Sequence, residues 1–246
     1  MSIFRNEGYC PICACDTWFT AHHEWLRDHY TCDRCGSIPR ERALMQTIET
    51  FFPNWRELVI HESSPGNRGA SVRLANECPG YIPSQYFPGA QPGELCGGIR
   101  SENLERLSFP DNSIDLHVTQ DVMEHVFDPS SAFREIARTL KPGGAHIFTV
   151  PLVRKATPSQ RRASLASNGE VEHLMPPIFH GNPISDQGVL VTVDWGFDIC
   201  QSIFRASGLF TSIHTIDDLS RGIRAEYIEV LVTPKPQTPA EGSAFP

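Results

Sequence analysis

The sequence of 246 residues lacks several features, and each absence excludes a class of protein. No apolar run is long enough to cross a bilayer, which argues against an integral membrane protein. Residues 1–9 contain no apolar core of the kind that signal peptides carry. The formal net charge of -8 argues against a dedicated nucleic-acid binder, because such a protein usually has a basic face. We therefore predict a cytoplasmic protein with neither a membrane nor a nucleic acid as its partner.

The chain is long enough for one full α/β domain and a small appendage. Its composition changes along the sequence and predicts four regions. Residues 1–40 are rich in Cys, His and aromatic side chains, and a connecting helix is expected over residues 41–57, most clearly from Arg42 to Phe52. An α/β pattern occupies residues 58–233. Residues 234–246 contain few apolar side chains, so we expect a disordered tail there.

Two C-x-x-C pairs, Cys10 with Cys13 and Cys32 with Cys35, are separated by a stretch in the range of zinc ribbons. Each pair supplies two thiolates from a tight turn, and four thiolates satisfy the tetrahedral preference of zinc. Four protein ligands leave no open position, so the zinc would be structural. A ribbon this short has almost no core without its metal, so loss of Cys10 or Cys32 should unfold it.

Other ligand sets for this zinc site remain open on the sequence. Cys15 could replace Cys13, and His22, His23 or His29 could replace one thiolate. Two buried or disulfide-bonded cysteine pairs are a further alternative. We favour the four-sulfur set because its spacing is that of a zinc ribbon.

The stretch from Phe109 to Gly144 predicts a strand–helix–strand unit. Residues 110–113 form a turn, and Ile114, Leu116 and Val118 alternate with polar residues, as in a strand. Asp128 followed by Pro129 is typical of a helix start. Residues 142–144 end this helix, and residues 145–150 supply the next strand. The loop after the first strand would lie at the carboxyl edge of a parallel sheet, where ligands bind.

Three motifs in this stretch carry a family resemblance: Phe109-Pro-Asp-Asn-Ser-Ile-Asp115, Glu124-His125-Val126 and Leu140-Lys-Pro-Gly-Gly144. In order and spacing they resemble the later motifs of class I S-adenosylmethionine-dependent methyltransferases of the methyltransferase type 11 kind. The resemblance implies an α/β fold with a doubly wound Rossmann-like sheet, to which the small N-terminal zinc ribbon is joined. It also implies S-adenosylmethionine as the cofactor. An unrelated doubly wound domain is the alternative.

The resemblance extends upstream to the cofactor motifs. Strand residues 58–61 are followed by Glu62, Ser64 and Gly66, which are similar to the acidic residue and glycine-rich turn that hold the methionine part of the cofactor. Ser64 and Pro65 depart from the glycine-rich pattern. The resemblance implies that Glu62 binds the cofactor's ammonium group, directly or through water. An ordinary strand-to-helix turn is the alternative interpretation.

The same alignment with the family motifs implies the remaining cofactor-binding residues. A second strand over residues 81–85 ends at Gln85, where the family usually has an acidic residue for the ribose hydroxyls. Asn103 and Leu104 resemble the segment that contacts the adenine. Gln120 and Asp121 end the next strand and should face the sulfonium. His117 interrupts the apolar pattern of that strand, and we interpret it as a buried histidine with a local partner.

Residues 151–194 are a long excursion, which we interpret as an ordered lid over the pocket of the methyl acceptor. An alcohol acceptor must lose its proton, and histidine suits that step near neutral pH. The candidate bases are His125, His173 and His180. As alternatives, His125 could serve only to stabilise its loop, or the reaction could need no base because holding the acceptor next to the cofactor is enough. A helix with Phe197 on its apolar face should end at Gly208. Two strands, over residues 210–216 and 227–233, would complete the sheet as an antiparallel pair.

These observations together predict a methyltransferase that transfers a methyl group from S-adenosylmethionine to a hydroxyl of a small molecule or sugar. Two alternatives stay open. A protein or RNA methyltransferase would use the ribbon to bind its partner, and a basic patch made by Arg27, Arg34, Arg40 and Arg42 would favour it. A non-catalytic binding module would explain the irregular first motif. The sequence gives no basis for an oligomeric state.

Overall fold

The computed structural model describes residues 2–182 and 185–237. Among them, no helix is long and apolar enough to cross a membrane. Short 3-10 helices lie at Trp55–Glu57 and Leu219–Arg221. The α-helices are α1 (Leu26–His29), α2 (Pro39–Phe51), α3 (Gly69–Glu77), α4 (Pro129–Thr139) and α5 (Ile199–Ser207).

The strands fall into an N-terminal group, a central group and a group of short strands between residues 160 and 194. In chain order they are β1 (Phe4–Cys10), β2 (Cys15–Ala21), β3 (Tyr30–Cys32), β4 (Ile60–Ser63), β5 (Tyr81–Gln85), β6 (Leu95–Cys96), β7 (Ile99–Ser101), β8 (Ile114–Gln120), β9 (Leu140–Thr149), β10 (Gln160–Arg161), β11 (Ala163–Leu165), β12 (Val171–His173), β13 (Phe179–Asn182), β14 (Ser185–Leu190), β15 (Val193–Asp194), β16 (Ser212–His214) and β17 (Val230–Pro234).

The central sheet has eight strands in the order β16-β17-β9-β8-β4-β5-β7-β6. Strands β5, β4, β8 and β9 run parallel to one another, and β7 runs parallel to β5. Strand β17 is antiparallel to both β9 and β16, which confirms the predicted antiparallel pair. The chain order reverses between β4 and β8, so the carboxyl ends of these strands form a topological switch point.

Apolar side chains cover both faces of this sheet, because successive strand residues point to opposite sides. Ile147 belongs to the core cluster formed with helices α2 and α3, whereas its neighbour Phe148 belongs to the cluster formed with α4 and α5. Likewise, Val230 belongs to the cluster with α2 and α3, and Leu231 belongs to the cluster with α4 and α5. The prediction of a doubly wound α/β fold is therefore confirmed.

Several predicted strand boundaries are wrong, including those of β16 and β17, which were expected over residues 210–216 and 227–233. Strand β4 spans Ile60–Ser63 rather than residues 58–61, so Glu62 lies inside the strand and not in the turn after it. Helix α4 ends at Thr139, before Pro142, and β9 begins at Leu140 with an irregular register before Ala145. The bulge arises because Gly143, with φ +85°, adopts a left-handed conformation that strands do not use.

The connecting helix α2 starts at Pro39, three residues before the predicted start at Arg42, and ends at Phe51. Proline suits the first turn of a helix because its missing N–H has no helical partner there. Glu41 also accepts a hydrogen bond from the backbone N–H of Ile38 over 3.0 Å, which satisfies a donor at the helix start.

The N-terminal sheet, β1-β2-β3, shares one core with the central sheet. Cys10, Phe19 and Tyr30 belong to the same buried cluster as residues of α2, β4 and β8. The Arg42 side chain is fully buried and donates to the carbonyls of Tyr30 and Gly222, at 2.8 and 2.6 Å. The small sheet is thus bonded to two distant parts of the chain.

The predicted disordered tail starts too early. Strand β17 extends to Pro234, and the Lys235 ammonium donates to the carbonyls of Ala137 and Leu140, at 2.8 and 2.7 Å. A cation is favourable at this place because the last carbonyls of α4 carry the negative end of the helix dipole. Residues 238–246 of the predicted tail lie outside the described residues.

The interpretation of His117 as a buried histidine with local partners is confirmed. Its Nδ1 lies 2.9 Å from Nδ1 of His61, and its Nε2 lies 2.8 Å from Oγ1 of Thr139. His61 Nε2 in turn lies 2.7 Å from Oγ of Ser84. His146 on the neighbouring strand is also buried, beside Thr119. We call His61, His117 and His146 the buried histidine row.

Candidate active site

A cavity of about 1270 Å³ opens at the carboxyl ends of β4, β5 and β8. It is bounded by the N-terminal region on one side and by residues 151–194, here called the insertion, on the other. Most of the sequence-predicted cofactor and catalytic residues line it: Ser64, Gly66, Gln85, Asn103, Leu104, Gln120, Asp121, His125 and His180. Glu62 and His173 do not line it.

Glu62 is fully buried below the cavity floor. Its carboxylate accepts hydrogen bonds from Ser71 Oγ, Tyr81 OH and Gln120 Nε2, at 2.7, 2.7 and 2.8 Å. Burial raises the pKa of Glu62 above its usual range, and these three donors act in the opposite direction. Because Glu62 lies within β4 and does not line the cavity, its predicted contact with an ammonium group would have to run through water or through Gln120 or Ser71, which line the cavity.

The segment from the turn after β4 to the start of α3 contains two residues with a left-handed backbone conformation, Ser64 and Gly69, and at Gly69 the backbone lies close to Glu41. Ser64 has φ +56° where the family pattern has glycine, and its N–H donates to the carbonyl of Ser84 over 2.8 Å. Gly69 has φ +63°, and a Cβ there would overlap the Glu41 carboxylate. Gly69 therefore allows helix α3 to start against helix α2.

The opposite side of the cavity is formed by the ends of β5 and β7. Gln85 ends β5, and Tyr86 beside it is about half exposed and lines the cavity. The Asn103 Oδ1 accepts from the N–H of Glu105 over 2.9 Å, so the amide NH₂ of Asn103 faces other partners. Leu104 is 6% exposed and gives this side an apolar surface.

Asp121 directly follows β8 and is held by two arginines from the N-terminal region. Arg27 Nη2 donates to Asp121 Oδ2 over 2.6 Å, and Arg40 Nε lies 3.1 Å from the same oxygen. Burial alone would raise the pKa of the Asp121 carboxyl, but the charges of Arg40 and Arg27 outweigh it and hold the pKa below its usual range. Arg40 also lines the cavity, and its buried Nη1 atom has no hydrogen-bond partner among the described residues.

The insertion builds the other half of the cavity from short antiparallel strand pairs. The hairpin of β13 and β14 forms part of the cavity wall, where the apolar lining residues are Ile178, just before β13, and Val189 and Leu190 of β14. The insertion is tied to the loop after β8, because Thr192 N–H donates to the carbonyl of Glu124 over 2.7 Å. This half of the cavity is largely apolar.

The three candidate histidines are not equivalent. His125 and His180 lie together in the cavity, with ring centroids 5.1 Å apart. His125 Nδ1 lies 2.9 Å from the carbonyl oxygen of Leu190. His173 ends β12, is exposed and lies outside the cavity. The sequence could not separate them because the course of the insertion is set by tertiary contacts.

Four cysteines lie together at the turns of the N-terminal sheet. The Sγ atoms of Cys10, Cys13, Cys32 and Cys35 all lie within 4.8 Å of one another, and we call this set the cysteine cluster. Cys10 and Cys35 are 3.7 Å apart, and Cys13 and Cys32 are 3.8 Å apart. Zn–S bonds of about 2.3 Å at tetrahedral angles put two sulfurs ~3.8 Å apart. The cluster therefore has the dimensions of a four-thiolate zinc site.

Several cavity residues were missed by sequence reasoning. Trp25, Arg27 and Arg40 come from the region interpreted as a zinc ribbon, and Tyr227 comes from the loop before β17. Glu124 lies in the motif Glu124-His125-Val126, but the sequence predicted no role for its side chain. Motif spacing indicates local contacts, and none of these residues is near the cofactor motifs in sequence except Glu124.

Residues 88–148 match the family model of a methyltransferase domain. The match covers β8, its polar loop, helix α4 and most of β9, together with the segment before them. Less than half of the chain is matched.

Two curated relatives are similar over a comparable length. A probable S-adenosylmethionine-dependent methyltransferase of Mycolicibacterium smegmatis is 40% identical over 53 residues, which are 22% of this chain and 21% of that protein. A dimethylglycine N-methyltransferase of Parasynechococcus marenigrum is 35% identical over 54 residues, 22% of this chain and 19% of that protein. The matched part of this chain thus spans about a fifth of the length of these relatives. A crystal structure of a Mesorhizobium loti S-adenosylmethionine-dependent methyltransferase aligns with 78% of this chain and 96% of that chain, at 16% identity and a TM-score of 0.46.

Proposed function

We propose that this protein transfers a methyl group from S-adenosylmethionine to a hydroxyl of a small organic molecule or sugar. One observation carries the proposal: a single large cavity at the switch point of the sheet brings together most residues that the methyltransferase motifs predict. The match of residues 88–148 to a methyltransferase domain supports the same activity.

The polar half of the cavity fits the parts of this cofactor. Gly66 and Ser64 leave room for close approach of a ligand to the backbone, and Gln85 and Tyr86 offer groups for the ribose hydroxyls. The free amide of Asn103 and the apolar side chain of Leu104 suit an adenine. Arg40 Nη1, buried without a partner, suits the carboxylate of the methionine part.

The apolar half of the cavity suits a small acceptor. Methyl transfer from a sulfonium is an in-line displacement, so the protein must align the acceptor oxygen and exclude water. The apolar wall from β13 and β14 can do both, and His125 supplies a ring nitrogen that can accept the hydroxyl proton. A cytoplasmic setting remains our prediction, because reduced thiols are needed in the cysteine cluster.

We also propose that the cysteine cluster binds a structural zinc ion. The support is the sulfur spacing, together with Ser37, whose hydroxyl lies 3.6 and 3.2 Å from the sulfurs of Cys10 and Cys35. We keep the four-sulfur set, although Cys15 Sγ also lies 3.4 Å from Cys13 Sγ. The zinc would hold the turns of β1 and β3 together.

An RNA substrate is less favoured because of where the N-terminal arginines lie. Arg27 and Arg42 are buried, and Arg40 is directed at Asp121, so only Arg34 of the four candidate arginines is well exposed. A basic RNA-binding patch would need these guanidinium groups at the surface.

Calorimetry with S-adenosylmethionine and S-adenosylhomocysteine tests the cofactor part of the proposal. We expect binding in the micromolar range, weakened at least tenfold by Gln85→Ala and Asn103→Ala. Gln91→Ala, an exposed glutamine outside the cavity, serves as the control. No binding at millimolar cofactor would favour a non-catalytic module. Incubation of a metabolite extract with methyl-labelled cofactor then identifies the acceptor.

A further inference from the structure

Glu124, His125 and His180 form a compact cluster on the cavity wall, here called the Glu–His–His cluster. Glu124 Oε1 lies 3.8 Å from His125 Nε2 and 3.7 Å from His180 Nδ1. One potential ligand atom from each residue lies within 4.8 Å of the other two. The residues come from two distant segments, the loop after β8 and the strand β13.

The Glu124 carboxylate is buried and has no hydrogen-bond donor. Glu124 is 2% exposed, and neither of its carboxylate oxygens has a partner among the described residues. The other buried carboxylates nearby differ, because Glu62 has three donors and Asp121 has two arginines. Arg27 acts on Glu124 through its charge but donates its hydrogen bonds to Tyr227 and Asp121. A buried carboxylate without a hydrogen-bond partner is costly, so a further positive group is expected beside it.

The orientation of His125 indicates what that group is. Its Nδ1 lies 2.9 Å from the carbonyl oxygen of Leu190, which can only accept a hydrogen bond. Nδ1 of His125 therefore carries the proton, and in the neutral ring Nε2 presents a lone pair toward Glu124. Histidines that bind metals are held in this way, with the other ring nitrogen donating to a backbone carbonyl.

We propose that Glu124, His125 and His180 bind a divalent transition-metal ion, with zinc the best fit. Two imidazoles and one carboxylate are a known donor set for zinc that keeps a position open for a further ligand. Zn–N and Zn–O bonds of about 2.0–2.1 Å place tetrahedral ligands ~3.3 Å apart. The observed separations of 3.7 and 3.8 Å exceed that value by about 0.5 Å. A small rotation of His180, whose side chain is 43% exposed, would shorten the first, and a small shift of the Glu124 carboxylate would shorten the second.

The open position of this ion would face the apolar half of the cavity. With His125 Nε2 bound to the ion, the ion rather than that nitrogen would promote loss of the acceptor's hydroxyl proton, which would pass to solvent, because a divalent cation lowers the pKa of a bound oxygen acid. This last consequence rests on the proposed function, whereas the metal site itself does not. The site is also separate from the cysteine cluster, which offers sulfur rather than nitrogen and oxygen ligands.

Zinc content tests the proposal on the full chain, loaded with zinc chloride and dialysed. We expect two zinc ions per chain in the wild type and one in Glu124→Gln and in His180→Ala. His173→Ala, an exposed histidine of the same insertion outside the cavity, should retain two.

Several outcomes would overturn the proposal. A zinc content that is the same in wild type, Glu124→Gln and His180→Ala, whether one or two ions per chain, would show that the Glu–His–His cluster binds no metal. Nitrogen-15 NMR of the histidines would then reveal a doubly protonated His125, meaning that a proton balances Glu124. Calorimetry with S-adenosylhomocysteine separates this result from the proposed function, since cofactor binding without a second metal rejects only the metal site. Circular dichroism of each variant checks that it is folded.

Discussion

The Arg27 guanidinium donates to the Asp121 carboxylate over 2.6 Å, although 94 residues separate the two in sequence. Arg27 lies in helix α1, between β2 and β3, whereas Asp121 directly follows the central strand β8. Arg27 Nε also donates to the carbonyl of Tyr227 over 3.0 Å. The N-terminal region therefore forms part of the cavity wall, and its fold and the geometry of the cofactor site are linked.

We expect Arg27→Gln to reduce the free energy of cofactor binding by more than it reduces the free energy of unfolding. Without Arg27, Asp121 keeps only Arg40, so Arg40 turns toward the carboxylate and away from the proposed cofactor site. We expect S-adenosylhomocysteine affinity to fall about tenfold, or about 1.4 kcal/mol, measured by calorimetry. Arg34→Gln is the control, because Arg34 is exposed on the same region. Equal affinities for both variants would contradict the link.

Loss of the cysteine cluster should destabilise the whole chain rather than the N-terminal region alone. Cys10 and Cys32 are also part of the hydrophobic core that contains Ile60 and Leu116 of the central sheet. Cys32→Ser, or removal of the metal by a chelator, should lower the urea midpoint of one shared transition. The measurement is unfolding followed by tryptophan fluorescence and by circular dichroism. Cys96→Ser, outside the cluster, should leave the midpoint unchanged, and separate transitions in the two signals would contradict a shared core.

The buried histidine row should make the protein acid-sensitive. Burial lowers the pKa of His61 and of His146 from 6.5 to about 3, and lowers that of His117 well below its usual value. Between pH 6.5 and about pH 3 the unfolded chain therefore binds more protons than the folded chain. The free energy of unfolding has its full value above pH 6.5 and falls as the pH decreases toward 3. Each of His61 and His146 should contribute a loss on the order of 2 kcal/mol by about pH 5.

Urea unfolding as a function of pH measures this loss. His146→Gln keeps a polar partner for Thr119 and removes one titrating group, so the pH dependence should become shallower. His173→Ala removes an exposed histidine and should leave the slope as it is. An unchanged slope in His146→Gln would mean that other groups cause the acid sensitivity.

Gly69→Ala should be clearly more destabilising than Gly97→Ala. Both glycines have positive φ, +63° and +58°, so both substitutions carry the backbone cost of about 1–2 kcal/mol. Gly97 has open space around a new Cβ, whereas at Gly69 the Cβ would overlap the Glu41 carboxylate. Displacing Glu41 also removes its bond to the Ile38 N–H at the start of α2. Chemical denaturation of both variants checks the difference, and equal losses would mean that Glu41 moves aside freely.

Local sequence signals predicted the elements whose structure depends on near neighbours. Strand β5 has its predicted bounds, and Asp128 begins helix α4 by accepting from the N–H of Ser131 over 3.1 Å. These signals depend on alternation and capping chemistry within a few residues. The start of β4 was misplaced because the edge of a buried strand is set by its neighbours β5 and β8 and not by its own residues.

The sequence by itself determined the doubly wound α/β class, the motif register and the residue types at the cavity, because periodicity and motif spacing are properties of the chain alone. Only the tertiary structure decided which of these residues meet. It separated His173 from His125 and His180, buried Glu62 beneath the cavity, and brought Arg27 and Arg40 to Asp121. Such contacts join segments far apart in the chain, and their formation depends on how the layers pack, which local sequence patterns do not specify.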